Sequence, residues 1–329
     1  MKKIVLKQTG GPEVFETLEV ADPRPGPGEV LVDLKAVGLN WSEIMIRRGE
    51  WPLDLSAGFT LGAEGAGIVE SVGENVRAVA PGERVAVFDV DAYQVPGQGT
   101  YAEKILLPET KVLKIPSRPS FAEAAALPMA LLTAYDALIK HSPLPEAGQV
   151  VITACTGAVG VAALQLARLK GLRVVGTTRD ESKAAHVREL GCEVVVEADP
   201  ARLKEKIVGL LGGPEVHYVF DPVQGPLAGN LLEIMAGDGT YVVYGALGGM
   251  GFSVPGSFLF QQLKIHGYVV LRNLADPRRL QQVWSELYPI LEENRIRIPV
   301  AAEIPFPEAG RAHSQMESHR HFGKLVMVR

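Results

Sequence analysis

The sequence predicts an α/β protein of two domains: a barrel-like β domain, and a parallel sheet with helices on both faces. Three observations carry this prediction. Up to about residue 120, short apolar runs with rough period-2 alternation lie between Gly- and Pro-containing turns, the pattern of many short strands. After Pro119 apolar strands alternate with amphipathic helices, as in sheets buried on both faces. From Arg295 the short-strand style returns, so the chain re-enters the first domain. A length of 329 residues suits two domains at roughly 100–200 residues each. The expected division is 1–121 with 272–329 for the β domain and 122–271 for the parallel-sheet domain.

The elements follow in order. A Pro/Gly-rich turn, Asp22 to Gly28, precedes a strand over 28–38, and Asn40 to Gly49 is the one helical stretch of the first part. Gly65 to Val72 is a glycine-bounded strand, and Pro81-Gly82-Glu83 is a turn ahead of the next. Phe121 to Leu138 reads as a helix broken near Pro128. Strands are then expected at 150–153, 173–177, 193–196, 216–220, 239–244 and 264–270. Helices are expected at 159–170, 181–190, 201–211, 226–235 and 277–293.

Composition removes several function classes. Hydrophobic residues make up 47% and charged residues 22%, so disorder is excluded. The 33 basic and 38 acidic residues are scattered and sum to −5, which does not suit a nucleic-acid partner. Cys155 and Cys192 are the only cysteines, too few for a disulfide framework or a Cys-rich zinc site. The opening MKKIVLKQTGG lacks a signal-peptide core. The most apolar stretch, Ala122 to Leu138, is interrupted by Glu123, Pro128, Thr133 and Asp136, so no membrane span is expected. A soluble, cytoplasmic protein is the expectation.

The segment Gly148 to Arg179, GQVVITACTGAVGVAALQLARLKGLRVVGTTR, is the most informative. A strand, a small-residue turn and an Ala/Leu helix follow one another, as in the dinucleotide fingerprint G-x-G-x-x-G. Its three positions are here Cys155, Gly157 and Gly160. Thr156, Gly157, Ala158, Val159 and Gly160 would present backbone N–H groups of a helix start to a pyrophosphate. An ordinary tight βα turn is the competing reading. Cys155 must stay small in its slot, which favours packing over redox chemistry.

The end of the next strand selects the cofactor. An NAD site places an acidic residue there to bind the ribose 2′-OH. This chain has Thr177-Thr178-Arg179, with Lys183 one turn into the following helix. Thr178, Arg179 and Lys183 suit a 2′-phosphate, so NADPH is the expected cofactor. Asp180 next door weakens that reading if it faces the ribose, and solvated surface charges are the alternative.

With these residues in hand, the chain resembles the zinc-free quinone oxidoreductase branch of the medium-chain dehydrogenase/reductase superfamily. The resemblance rests on GLNWSEIMIRRGEWP (Gly38 to Pro52), LGAEGAGIVESVG (Leu61 to Gly73), PGERVAV (Pro81 to Val87) and GTYAE (Gly99 to Glu103). AAALPMALLTAYDAL (Ala124 to Leu138), the A-x-x-G-x-x-G turn from Ala154 to Gly160, and GKLVMV near the C-terminus complete it. It implies a discontinuous GroES-like β-barrel catalytic domain, with a Rossmann doubly wound parallel sheet inserted between its two parts and the active site in the cleft. Zinc-dependent relatives carry a cysteine and a Gly-His-Glu where this chain has Asn40 and Gly62-Ala63-Glu64. Their four-cysteine lobe is missing from Phe88 to Thr100. No metal is therefore expected, and His313, His319 and His321 are assigned to a surface helix and turn.

The resemblance also implies roles. Asn40 and Thr133 match positions beside the nicotinamide; a turn residue and a helix hydroxyl bonded to its own turn are the plainer alternatives. Tyr244, Gly245 and Ala246 match backbone packed on the cofactor, Leu271 and Arg272 its nicotinamide side, and Lys324 the adenine phosphate side. Asp221 closes a parallel strand, where it would either meet the ligand or cap the following turn. Met45 and Trp51 replace tyrosines common in the family and would form an apolar substrate wall or part of the core. In mitochondrial-type enoyl-thioester reductases the position matching Trp51 is a tyrosine proposed to assist protonation; an indole N–H is no acid near neutrality, so the proton donor is unassigned. Tyr93, Tyr101 and Tyr268 qualify if they reach the cleft.

Without a Lewis acid, conjugated acceptors are the easier substrates, because the arriving negative charge delocalises into an enolate or phenolate. The leading reading is thus an NADPH-dependent, zinc-independent reductase of quinones or α,β-unsaturated carbonyls. An enoyl-thioester reductase acting on CoA- or carrier-bound substrates is the first alternative, and a non-catalytic NADPH-binding protein the second. A homodimer joined through Leu263 to Leu271 is expected, with Ile265, Gly267 and Val269 alternating along an edge strand.

Overall fold

The computed structural model describes residues 1–51, 55, 58–94 and 97–329. Pro52, the last residue of the Gly38–Pro52 motif, lies outside the described residues. Two compact units form, one from Met1–Leu132 with Leu271–Arg329 and the other from Thr133–Val270.

The first unit opens with the antiparallel pair β1 (Lys2–Leu6) and β2 (Phe15–Glu19), followed by β3 (Glu29–Gly38), α1 (Trp41–Arg48), β4 (Glu64–Val72) and β5 (Arg84–Phe88). After these come β6 (Lys104–Pro108), β7 (Val112–Lys114) and α2 (Phe121–Ala125). Ser120 caps α2, its side chain accepting from the Glu123 N–H while Glu123 bonds back to the Ser120 N–H. The expected single helix then breaks at Pro128, which has no N–H to donate, and resumes as α3 (Pro128–Tyr135) and a π-helical turn over Asp136–His141.

The second unit contains β8 (Gln149–Ile152), α4 (Ala158–Leu169), β9 (Arg173–Thr178), α5 (Glu181–Glu189), β10 (Glu193–Val196) and α6 (Pro200–Leu211). It continues with β11 (Val216–Asp221), α7 (Gly225–Leu232), β12 (Met235–Val243), α8 (Ser257–Gln261) and β13 (Lys264–Gly267). All six strands run parallel in the order β10-β9-β8-β11-β12-β13, so this is a Rossmann-like sheet. Val151, Val175, Val219 and Tyr241 from the strands pack with Leu203, Ile207 and Leu231 from the helices in one core. Two expectations shift here. Helix α7 stops at Leu232, because Met235 pairs with Val216 and starts β12 early. Strand β13 stops at Gly267, because the chain turns into α9 (Val270–Asn273).

The first unit is completed by α10 (Pro277–Glu292), β14 (Val300–Pro305), α11 (Ala309–Glu317) and β15 (Lys324–Val328). Its large sheet runs β14-β15-β3-β4-β5-β7, with β6 also on β3. β15 pairs β3 antiparallel, Val326 opposite Gly38, which joins the C-terminal segment to the N-terminal strands. β3 is buried along most of its length on both faces, which is why its alternation in sequence is only rough. Among the described residues no helix is long and apolar enough to cross a membrane.

Candidate active and cofactor sites

In the second unit the turn after β8 is tied down by Thr153 N–H donating to Phe220 O (3.1 Å) and Cys155 N–H to Thr177 O (3.2 Å). Ala154 takes the left-handed conformation at φ 45°, uncommon for a residue with a side chain. Helix α4 starts at Gly157 with no side chain capping its first turn, whereas Asp180, Asp199 and Asp276 cap α5, α6 and α10. Thr156, Gly157, Ala158, Val159 and Gly160 surround this uncapped, electropositive end. Gly160 is required by close packing: a Cβ there would lie 2.6 Å from Cys155 Cα and 2.8 Å from Ala154 O. Cys155 itself points inward. Its sulfur fills the space over Gly176, where a Cβ would meet it at 2.7 Å, and burial pushes the thiol up to about 12. Cys192 is also buried, and its thiol too is pushed up by burial.

At the end of β9, Thr178 is buried and its Oγ1 accepts from Asp180 N–H (3.3 Å). Asp180 Oδ1 is held by Ser182 N–H (2.9 Å) and Oγ–H (2.6 Å), so this oxygen serves the start of α5. Arg179 is exposed, and Lys183 lies 3.9 Å from Asp180. Partial burial holds the Lys183 ammonium below its usual range; Asp180 opposes that shift, and the Arg179 charge adds to it. The two cations therefore sit close enough to disfavour each other, an arrangement a dianionic phosphate would relieve.

Thr133 is buried, and its Oγ1 makes no hydrogen bond among the described residues. It does not take the back-bond to its own helix turn that such residues commonly form. A buried hydroxyl without a partner is costly, so this one suits a ligand atom. Tyr244, Gly245 and Ala246 follow β12, with the Tyr244 ring stacked 4.0 Å from Phe220 and Gly245 O accepting from Gln224 Nε2 (2.6 Å).

Asp221 requires a correction. Its carboxylate accepts from Thr153 Oγ1, Val223 N–H (2.8 Å), Gln224 N–H (2.8 Å) and Tyr241 Oη (2.8 Å). It closes the turn after β11, and its hydrogen-bonding capacity is spent on protein rather than on cofactor.

In the first unit a buried polar cluster is built around Asn40, at the start of α1. Asn40 Oδ1 accepts from Lys324 Nζ (2.7 Å), and its Nδ2 donates to Glu64 Oε1 (3.0 Å). Lys324 is also ion-paired with Glu64, whose Oε2 accepts from Met129 N–H (2.7 Å). Lys324 thus belongs to the Asn40 cluster, which replaces the adenine-phosphate role that resemblance gave it: β15 buries the ammonium between an amide oxygen and a carboxylate. Asn40, which the resemblance sets against a cysteine of zinc-dependent relatives, and Glu64 hold this ammonium. Among the described residues no group of three or more His, Cys, Asp or Glu side chains is placed to hold a metal ion.

Glu43, one turn after Asn40, is fully buried and was not among the expected site residues. It accepts from Asn40 N–H (2.9 Å), Tyr101 Oη (2.8 Å) and Tyr93 Oη (3.1 Å). Burial pushes its carboxyl up to about 7, against the pull of the Asn40 and Tyr101 hydrogen bonds and the Lys324 charge; the Glu64 charge adds to the rise. His313 is buried rather than on the surface. Residues Ala309, Ala312, His313 and Met316 form the inward face of α11, so the i, i+3, i+4 pattern carries the ring inside. Arg47 Nε donates to His313 Nδ1 (3.3 Å), which leaves His313 Nε2 facing Tyr101 Oη (2.9 Å). Burial, helped by the Arg47 charge, holds His313 down at about 3. Arg47 also donates to Gly10 O (2.5 Å) and pairs with Glu317. The sequence signal for Glu43 was its spacing from Asn40, a capping-box interval; Tyr93, Tyr101 and His313 lie 50 to 270 positions from Glu43, so nothing local tied them to it.

Met45 is half-buried and Trp51 36% exposed, its ring 6.1 Å from Tyr93 in an edge-on contact. Leu271 is half-buried and Arg272 exposed, both in α9. Tyr268 is buried in the second unit, donating to Asp136 (2.9 Å).

Residues 26–117 match the alcohol dehydrogenase GroES-like domain family, and residues 158–290 match the zinc-binding dehydrogenase family. A quinone oxidoreductase of Pseudomonas aeruginosa is 31% identical over 332 residues, covering 99% of each chain. Escherichia coli quinone oxidoreductase complexed with NADPH superposes with a TM-score of 0.89 at 28% identity, over 100% of both chains. A mycobacterial protein complexed with NADPH gives 0.90 at 27% identity, again over 100% of both. Two such domains on one chain define a medium-chain dehydrogenase/reductase. Within that class, the chain belongs to the quinone oxidoreductase family.

Proposed function

We propose that this oxidoreductase uses NADPH to reduce quinones or α,β-unsaturated carbonyls, without a metal ion. The observation that carries the reading is the pairing of an uncapped α4 start with two cations, Arg179 and Lys183, around the end of β9. Backbone N–H groups from Thr156 to Gly160 would hold the pyrophosphate, and Thr178, Arg179 and Lys183 the 2′-phosphate. Thr133 offers a buried hydroxyl, and Tyr244, Gly245 and Ala246 a backbone surface beside the ring system. NADPH, when bound, supplies the hydride. Quinone oxidoreductase relatives, and neighbours solved with NADPH, support the same choice.

Asn40 has its amide fixed at both ends, by Lys324 and by Glu64, so its orientation costs little to maintain during a reaction. The Lys324 ammonium, ion-paired with Glu64, holds the Asn40 amide oxygen in place. Conjugated acceptors need no stronger electrophile, because their negative charge delocalises. Met45 and Trp51 would provide a flat apolar wall for them. Leu271 and Arg272 on α9 are proposed for the nicotinamide side, and Asn40 in the first unit and Thr133 in the second are each proposed as a polar group for ligand atoms.

The test is cofactor oxidation by chelator-treated protein with NADPH and NADH in parallel, against quinones, short enones and an enoyl-CoA. NADPH turnover on quinones or enones is the expected result. Turnover restricted to enoyl-CoA, or loss of activity on chelation, would refute it.

We infer also that the chain forms a homodimer through β13. This strand is the edge of the six-stranded sheet, and Leu259, Phe260 and Val269 beside it are exposed.

A further inference from the structure

Glu43 lies at the junction of two hydrogen-bonded arms, and the arms differ in kind. On the Oε2 side the chain runs through Tyr101 (2.8 Å) to His313 (2.9 Å) and ends on Arg47 (3.3 Å). Arg47 does not give up its proton, and its Nε–H occupies His313 Nδ1, so this arm is closed. On the Oε1 side it runs to Tyr93 (3.1 Å) and then to Ser42 Oγ (3.0 Å). Ser42 is half-buried, and this arm is open. Ser42 shares a face of α1 with Met45 at the i, i+3 spacing, and the Trp51 ring borders Tyr93. The open arm therefore surfaces among the residues proposed to line the acceptor.

We propose that Glu43, Tyr93 and Ser42 form the route that delivers the proton to the reduced acceptor, a proposal that rests on the reductase reading above. With Glu43 ionised, both hydroxyls point inward, Ser42 to Tyr93 and Tyr93 to Glu43. With Glu43 protonated, the two rotors turn over and the chain points outward. The hydride, whose C–H bond breaks on NADPH to leave NADP+, forms one new bond on the quinone and leaves an anionic oxygen. That oxygen takes the Ser42 Oγ proton, Ser42 takes the Tyr93 proton, and Tyr93 takes the Glu43 proton. The carboxylate left behind is reprotonated from water through the same open arm once product has gone, and the net uptake is one hydride and one proton per quinone. Only Ser42 meets the acceptor; Tyr93 and Glu43 act through it.

The charged and titratable groups facing Glu43 set the working range. Lys324 from β15 and Glu64 from β4 oppose each other, Tyr93 and Tyr101 donate from the segments following β5, and the α11 residues His313 and Glu317 meet it only by way of Tyr101 and Arg47. Burial pushes the carboxyl up to about 7, so near neutral pH it is shared between its protonated and ionised forms and can pass a proton either way.

The experiment is steady-state reduction of 1,4-benzoquinone by saturating NADPH, between about pH 6 and 9, in H2O and D2O. Wild type, Tyr93→Phe and Ser42→Ala are compared. Wild-type kcat is expected to fall as pH rises through about 7, with a solvent isotope effect. Both variants are expected to lose about 10²-fold in kcat, keep their KM, and lose the pH dependence. Infrared titration of the cofactor-free protein gives a reading that does not depend on turnover. A carboxylic C=O band should vanish through about pH 7 in wild type, shift in Tyr93→Phe and be missing in Glu43→Gln. Turnover by Tyr93→Phe with the wild-type pH profile and isotope effect overturns the proton route alone. A wild type that oxidises no NADPH with quinone overturns the reductase reading and the route with it.

Discussion

Arg179 and Lys183 are the cations proposed to meet the 2′-phosphate, so their removal should read out on one cofactor only. Arg179→Ala and Lys183→Ala are each expected to lower kcat/KM for NADPH by about 10- to 100-fold, since a hydrogen bond to a charged group contributes about 1.5–3 kcal/mol. NADH should change little, and parallel initial rates check it. Thr133 makes the opposite kind of prediction. Its hydroxyl is buried without a partner, so Thr133→Val should leave thermal stability equal or higher while weakening NADPH binding about 10-fold. Melting curves and a fluorescence titration on one preparation separate the two effects. A variant that loses both stability and binding would mean the hydroxyl already has a structural role.

Among the elements, the turn between β8 and α4 is the least forgiving. Gly160→Ala would press a methyl into the Cys155 backbone, which cannot swing aside as a side chain can. A destabilisation of about 1–3 kcal/mol is expected, with NADPH affinity falling further because the α4 start is displaced. Urea unfolding with and without NADPH measures both. This turn was legible from sequence because it is local: strand, small residues and helix lie within thirty-two residues, Gly148 to Arg179. The parallel sheet was legible for the same reason, its period changing at each element. What was missed is non-local. Asp221 ends a strand, where ligand contact and turn capping were both open, and its four donors, from Thr153, Val223, Gln224 and Tyr241, favour the turn. His313 looked like a surface residue because α11 is mostly polar; its spacing with Ala309, Ala312 and Met316 does mark the inward face, but its partners Arg47 and Tyr101 are distant in sequence. Lys324 sits in an unremarkable GKLVMV strand, and its contact with Asn40 spans 284 positions.

For the molecule as a whole, His313 and Glu43, both buried in the first unit, set opposite pH limits. His313 has a folded pKa of about 3 against an ordinary 6.5. As pH falls the unfolded chain takes up that proton first, so stability is full above about 6.5 and drains away towards 3, by roughly 5 kcal/mol in the limit at about 1.36 kcal/mol per pKa unit. Glu43 has the opposite sign. Its folded pKa of about 7 lies above the ordinary 4.5, so its contribution is complete below 4.5 and is lost as pH rises through 7. Urea melts across this range should flatten above pH 4.5 in Glu43→Gln, and a slope unchanged from wild type would contradict the assignment. Assembly gives an independent prediction. Phe260 is 86% exposed beside the edge strand, and Phe260→Asp is expected to convert a dimer to a monomer by light scattering without loss of secondary structure.

The inward-facing sulfurs have a practical corollary. Both thiols of the chain are buried and held in the protonated form, and the turn that fixes one of them is the place where the cofactor would dock. The native protein should therefore be silent to alkylating and disulfide reagents, and each thiol that reacts counts a molecule whose second unit has opened. Labelling rate becomes a clock for local opening, one that NADPH should slow. A cysteine introduced anywhere on the surface could carry a dye or spin label with no background to subtract.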